Sequence, residues 1–329
     1  MSTAVHVLSH DRLVAERAAL IARGDITPAK RRSFKMPMQR LITTSDGLAA
    51  FAEKVRIDVN EGRENVPLLY GPIYQTLNNP GFPRNVSTNL LSTAAVVFLQ
   101  RVEAGEVYFG HLAPNTEGTV PMVNYSAGLE YTREMMLYDE TWTAEERNRG
   151  TGEAYNALLN HLHLSPILTF AYAAANQTPA DATAGTSQME KDYATFDAAL
   201  QTAATAKRAG SVILASSANR RRIERAVNGY NDSVGNVNNP LSEVSTIIYY
   251  DGWTVTVGPK TYTYPGVTAG KAYLINPRRR FRELVKRDLE VVTGNPDVSR
   301  GIEDQLVWHT DRGVYADIVN SVEEISLPV

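Results

Sequence analysis

The sequence predicts an α+β protein built from more than one lobe, and three features carry that prediction. Residues 94–136 have strand texture, in AAVVFLQRV, GEVYFGHLA and TVPMVNYSAGLEYTREMM, with a PNTEG turn between the last two. Two capping boxes, Thr143-x-x-Glu146 and Ser187-x-x-Glu190, each open a run of apolar residues at helical spacing. Residues 176–187 form a small-residue linker, after which helix, strand and helix are followed by three strands rather than by repeated βαβ units. That order argues against a doubly wound nucleotide fold. At 329 residues the chain also exceeds the ~250–300 residues at which a single core stops growing.

Taken in order, residues 10–23 can form a short helix, with Val14, Ala18 and Ile21 on one side and Gly24 at its end. The following ITPAKRRSFKMPMQR reads as an extended arm that buries little by itself. Residues 65–89 hold Pro67, Pro72, Pro80 and Pro83, with Gly71 and Gly81, and read as a long ordered loop. A loop of that length is uncommon without a job, such as docking on a neighbour. The turn at 114–118 joins two strand-like runs into a hairpin, and Pro121 confines the return strand to an edge or bulge. A lone hairpin is marginal in water, so something must cover it.

The helix opened by Thr143 carries Tyr155, Leu158, Leu159 and Leu162. A bend is expected at Gly150 and Gly152, and an end or kink at Pro166. The next helix shows Tyr193, Phe196 and Leu200 on one face and closes at Gly210; SVILAS is a strand, and 219–228 a short helix stopped by Gly229. After a turn-rich GYNDSVGNVNNP come the strands EVSTIIYY, WTVTV and KAYLI.

Composition narrows the chemistry. With no cysteine there is no disulfide, zinc–thiolate site or cysteine nucleophile. The formal charge of −3 is not that of a dedicated nucleic-acid binder. The first residues carry charge too early for a signal peptide, and no window reaches ~18 uninterrupted apolar residues. Gly150-Thr151-Gly152 lacks the lysine of a phosphate loop, and no nucleophile elbow occurs. His161 and His163 stand two apart in a helix, point to different faces, and read as structural, as does His309 beside Trp308. Asp139-Glu140 and Glu145-Glu146 read as charges that favour a helix start. No catalytic residue, cofactor site or metal site emerges.

Two arginine clusters remain. Arg220, Arg221 and Arg222 are successive on a helix, so they fan around its surface instead of forming one blade. In INPRRRFRELVKRDLEVVTGNPD six cations lie between Arg278 and Arg287, but Glu283, Asp288 and Glu290 interleave and leave a net +3. As a helix this segment shows Phe281, Leu284, Val285 and Leu289 as a stripe. As a strand, Phe281, Val285, Leu289 and Val291 share a face interrupted by Glu283 and Arg287, and periodicity leaves both open. Phe281 stands alone, without a stacking ladder for bases, so ion pairing to an adjacent element or subunit is the preferred reading over nucleic-acid contact.

The run FRELVKRDLEVVTGNPDVSRGIEDQLVWHTDRGVYADIVNSVEEISLPV resembles the end of tailed-phage major capsid proteins of the Hong Kong ninety-seven type and of the related encapsulins. The resemblance extends, as an order of elements, from about Ala94 onward. It implies that residues 303–308 and 312–319 are two closing strands, that 322–327 is the apolar finish, and that the segment from Arg278 is a strand. It further implies four regions: an N-terminal arm and Pro-rich loop (1–93), an extended β-hairpin loop (94–140), a peripheral domain with a long spine helix (141–178 and 278–329) and an axial α/β domain (179–277). The spine helix would run from Thr143 to about Ala175, and residues 105–136 would lie across a neighbouring subunit.

The function implied is a structural one: a homo-oligomeric shell of hexamers and pentamers enclosing double-stranded DNA, located in the virion and assembled in the host cytoplasm. Portal, scaffolding and decoration proteins would be its partners, with weak nonspecific DNA contact and no membrane. Intersubunit contacts would fall on Asn115, Thr116, Glu117, Arg133 and Glu134 of the hairpin, and on Arg220, Arg221, Arg222, Arg278, Arg279, Arg280 and Arg282. There is no lysine between Lys54 and Lys191, so an isopeptide weld from an extended-loop lysine is not expected. Scaffolding would be a separate protein, or residues 1–35 would take a smaller part of that role. The competing readings are an encapsulin-type compartment and a DNA-binding or DNA-processing protein that uses the arginine clusters.

Overall fold

The computed structural model describes residues 45–87, 119–132, 141–185, 187–231, 237–238, 240–257, 259–277, 281–294 and 302–328. The expected helix at 10–23, the basic arm, the strands at 94–113, the turn at 114–118, and Asn115, Thr116, Glu117, Arg133, Glu134 and Arg278, Arg279, Arg280 lie outside the described residues.

The described chain opens on α1 (Ser45–Asn65), and four described strands separate it from the long helix α2 (Thr141–Thr169). Sequence reasoning places no helix at α1; of its described side chains, Lys54, Asp58 and Arg63 are buried beside Val55 and Val59. α2 begins before Thr143, so the first capping box lies inside the helix and not at its start. The helix is continuous through Gly150 and Gly152 and passes Pro166 to end one turn later. That proline removes one hydrogen bond near an end where carbonyls are already leaving the ladder, and Leu164 and Ile167, both 0 % exposed, fix the last turn in the core.

The segment after α1 is not purely loop. It contributes β1 (Gln75–Asn78) and β2 (Asn85–Ser87). Next come β3 (Thr119–Pro121), β4 (Val123–Thr132), β13 (Phe281–Thr293) and β14 (Ile302–Ala316). One sheet has the order β1-β13-β14-β4, with β1 parallel to β13 and the other pairs antiparallel. β2 and β3 form a separate pair in which Pro121 faces Asn85, an edge position that suits proline. The basic segment is therefore a strand. Its register slips between Val285 and Arg287 and again before Glu290, and this irregularity turns Arg287 outward while Phe281, Glu283 and Leu289 stay buried. The two closing strands expected at 303–308 and 312–319 are one strand, β14, because His309, Thr310, Asp311 and Arg312 stay in register with β4 and Thr310 and Arg312 are buried.

The second layer system contains β5 (Gln177–Thr178), α3 (Gln188–Thr205), β6 (Val212–Ala215), α4 (Arg220–Asn228), the short pair β7 (Tyr230–Asn231) and β8 (Val237–Asn238), and β9 (Thr246–Tyr249). The hairpin β10 (Gly252–Val257) and β11 (Lys260–Pro265) follows, then β12 (Lys271–Ile275) and β15 (Val322–Ser326). The capping box of α3 is formed: the Ser187 hydroxyl accepts from Glu190 N at 3.3 Å, and Ser187 N donates to the Glu190 carboxylate at 2.8 Å. α3 ends at Thr205 with Lys207 in the left-handed region (φ 58°), so Gly210 is not its cap. Gly210 is small for another reason: a Cβ there would stand 2.7 Å from Leu274 Cγ and 2.9 Å from the Ile275 carbonyl oxygen.

The five strands run β5-β15-β12-β6-β9. Both faces of this sheet are covered, which explains the unbroken apolar run of β6. Ile213, Ala215, Leu274 and Ile325 pack on Phe196 and Ala199 of α3 and Ile223 of α4. Val212, Leu214, Ile275 and Val322 belong to the other core, with Leu164 and Ile167 of α2 and with Phe281, Leu306 and Trp308 of the first sheet. The end of α2 thus lies between the two sheets.

Candidate functional site

The face of α2 that meets α1 and residues 66–74 is polar. Glu145, Asn148, Gly152, Asn156, Asn160 and His163 recur at intervals of three and four and lie on one stripe. Each meets a named partner. Lys54 Nζ donates to Glu145 at 2.5 Å. Asn148, 0 % exposed, accepts from the Tyr131 hydroxyl at 2.5 Å and donates to Asp58 at 3.0 Å. Burial raises the Asp58 carboxyl above its usual range, against the opposing effects of Asn148 and Lys54. At Gly152 a Cβ would stand 2.0 Å from the Val59 carbonyl oxygen, and at Gly62 one would stand 2.0 Å from that of Arg149. The two helices therefore touch backbone to backbone there. Asn156 donates to the carbonyls of Arg63 and Val66 at 2.7 and 2.8 Å. Asn160 accepts from Leu69 N at 2.8 Å and donates to the Pro67 carbonyl at 2.9 Å. At the start of the Pro-rich segment, before β1, the backbone groups of Val66, Pro67 and Leu69 are satisfied by these amides.

The ladder ends in a buried charge network. Glu283 is 1 % exposed. Its carboxylate accepts from Thr76 Oγ1 at 2.7 Å and from the Tyr70 hydroxyl at 3.3 Å, pairs with Arg312, and stands 3.4 Å from His163 Nε2. Burial alone would raise this carboxyl, but its neighbours His163 and Arg312 and the Thr76 hydrogen bond hold it at about 2. Arg312 also reaches Asp288 at 2.5 Å and donates to the Tyr155 hydroxyl at 2.8 Å. Burial pushes the Tyr70 hydroxyl up, so it is a neutral donor. The network joins α2, β13, β14 and β1 into one body.

The other predicted residues fall in two kinds of place. Arg222 points inward: its guanidinium pairs with Asp192, 2 % exposed, at 2.6 Å and donates to the Pro328 carbonyl at 2.6 Å. Arg220 is exposed, pairs with Glu224 at 2.8 Å, and lies 5.6 Å over the Tyr249 ring. Arg221 and Arg225 are exposed, and neither has an ion-pair partner among the described residues. Arg282 donates to Gln75 on the neighbouring strand β1. Arg287 pairs with Asp311 at 3.0 Å and Glu290 at 3.5 Å. Of the described cations of the second cluster, Arg287 is therefore ion-paired within the chain and Arg282 is hydrogen-bonded to a neutral amide.

His161 and His163 do face different sides. His161 stacks on Tyr264 of the β10–β11 hairpin at 4.5 Å, and His163 stacks on Tyr70 at 3.7 Å. Among the described residues no three metal-ligating side chains cluster. The polar stripe is obscured in the sequence because its members are spread over five turns of a helix that also carries Leu158, Leu159 and Leu162. The signal is nevertheless there, as Asn148, Asn156 and Asn160 with a glycine at the intervening turn.

No protein-family model matches the chain, and no curated protein matches it in sequence. Solved structures do match in fold. The virus-like particle from Pyrococcus furiosus aligns with a TM-score of 0.52 and 14 % identity, over 84 % of this chain and 99 % of that one. The mature capsid of bacteriophage PhiM1 aligns with a TM-score of 0.50 and 10 % identity, over 79 % of this chain and 87 % of that one. At these identities the likeness is one of fold. The chain has the α+β, Hong Kong ninety-seven-type fold expected from the resemblance of its C-terminal third.

Proposed function

We propose that this chain is the major capsid protein of a tailed bacteriophage, assembling into the hexamers and pentamers of an icosahedral shell that encloses double-stranded DNA. The observation that carries the reading is the likeness in fold to two particle proteins over about four fifths of the chain. The role is structural and not enzymatic, the location is the virion, and assembly takes place in the host cytoplasm. Multivalent burial is the mechanism: each subunit makes several modest contacts, and closure of the shell multiplies their effect. Residues 94–140 act as the extended loop across a neighbour. Exposed arginines such as Arg220 and Arg221 are candidates for pairing with carboxylates of adjacent subunits. Portal, scaffolding and decoration proteins complete the particle, and DNA is touched weakly and without sequence preference, in keeping with the charge of −3.

Electron microscopy of the purified protein tests this directly. Closed shells of several hundred ångströms are the expected result, and soluble monomers that bind DNA would overturn it. The likeness to the Pyrococcus furiosus particle favours a second reading, an encapsulin-type compartment that holds protein cargo. Particles carrying a co-purified enzyme and no DNA would select it.

A further inference from the structure

A cleft of about 280 Å³ opens where residues 65–69, α2 and the corner between β9 and β10 meet. Val66, Pro67, Leu69 and Ala157 give it apolar walls, and Tyr250, Asp251 and Trp253 supply polar and aromatic groups. Tyr250 is 4 % exposed, and its hydroxyl oxygen is buried with no hydrogen-bond partner among the described residues. A buried hydroxyl left without a partner is costly, and an occupant of the cleft would relieve it. Asp251 is exposed, and one of its oxygens accepts from Ser216 Oγ and from Ser217 N, both at 2.8 Å. Burial opposes ionisation, but these bonds hold the Asp251 carboxyl below its usual range. The resulting charge meets no cation among the described residues. Trp253 is fixed in place, for it stacks on Tyr264 at 5.7 Å and Tyr264 stacks on His161 at 4.5 Å.

We propose that this cleft is a socket for an arginine side chain of a second copy of this chain. An aliphatic stem suits the apolar walls, and a guanidinium suits an indole ring beside an unpaired carboxylate. A guanidinium only donates, so the second Asp251 oxygen and the Tyr250 oxygen serve as its acceptors. The donors lie on α4. Arg221 and Arg225 are one turn apart there, exposed, and without an ion-pair partner among the described residues. Arg220, by contrast, is held by Glu224 at 2.8 Å. A cationic patch and a socket at different places on one chain make a head-to-tail contact, the kind that closes rings of subunits. That the occupant is a second copy rests on the shell reading; that the cleft takes a guanidinium does not.

The full chain titrated with N-acetyl-arginine amide, followed by tryptophan fluorescence, tests the socket. A saturable change is expected, abolished in Trp253→Phe and about fivefold weaker in Asp251→Asn. Asparagine keeps an oxygen that accepts from Ser216 and Ser217, so the corner survives. The citrulline counterpart, of the same shape without the charge, should not saturate. Equal responses to the two probes, or a response unchanged in Asp251→Asn, would overturn the socket. Should Asp251→Asn fail to fold, wild-type titration at rising salt replaces it: binding that weakens supports the socket, and binding independent of salt overturns it. Particle assembly tests the occupant. Asp251→Asn, and Arg221→Ala together with Arg225→Ala, should each lower the yield, and all three combined should lower it no further. Losses that add, or wild-type yield in Asp251→Asn, would overturn the second copy as occupant. A wild type that forms no particles removes the shell reading, and sedimentation of the soluble protein then decides. Concentration-dependent association lost in Asp251→Asn supports the contact; monomers throughout, or association retained in the variant, overturn it.

Discussion

Glu283 is a carboxylate taken almost wholly out of water, and its partners make its removal costly. Glu283→Gln leaves the Arg312 guanidinium, 6 % exposed, without its main counter-charge, a loss of about 3–5 kcal/mol in denaturant unfolding. The same carboxyl also shapes acid stability. Held at about 2 in the fold, against ~4.3 in an unfolded chain, it contributes stability that is complete above the unfolded value and is lost as pH falls through the folded one. Acid titration of unfolding should show that loss in the wild type and not in Glu283→Gln. From sequence, Glu283 reads only as an acid diluting a basic cluster. Nothing local marks it as buried, because its partners Thr76, His163 and Arg312 come from three other elements.

Helix contacts give a second set of expectations. Gly152→Ala puts a methyl group 2.0 Å from the Val59 carbonyl oxygen and should destabilise by about 1–3 kcal/mol. Gly150→Ala, where a Cβ meets nothing within 4 Å, should stabilise by about 0.5–1 kcal/mol. Thermal unfolding of the two variants, two residues apart, separates close approach from simple helix propensity. The sequence reads both glycines as weak points, since propensity is local and the approach of α1 is not. The described part of α1 likewise docks through Lys54, Asp58 and Arg63 as much as through Val55 and Val59, which apolar periodicity does not reveal. The strands of the second lobe, the capping box at Ser187 and the strand from Phe281 are legible, because each rests on local chemistry or on the order of elements. β14 is legible as strand but not as one continuous element, for Thr310 and Arg312 look like breaks until their buried partners are known.

At the scale of the whole molecule, stability and assembly should separate. Arg222→Ala leaves Asp192 buried without its cation and should destabilise the folded chain by about 3–5 kcal/mol. Arg221→Ala should leave the unfolding midpoint unchanged and show its effect, if the proposed function holds, only in the yield of particles by electron microscopy. The same logic limits how the extended loop can be tested. β4 pairs with β14 along its length, so deletion must spare residues 119–132. Replacing 105–118 by a short linker should leave a folded subunit that fails to make stable shells, and normal shells would remove those residues from the proposed role. β15 carries a last consequence. It sits inside its sheet, between β5 and β12, and Glu324 aligns with Gln177 across most of the second half of the chain. It is the one sheet neighbour of β5 among the described residues, and it places Val322 in one core and Ile325 in the other, so a single short strand closes both cores.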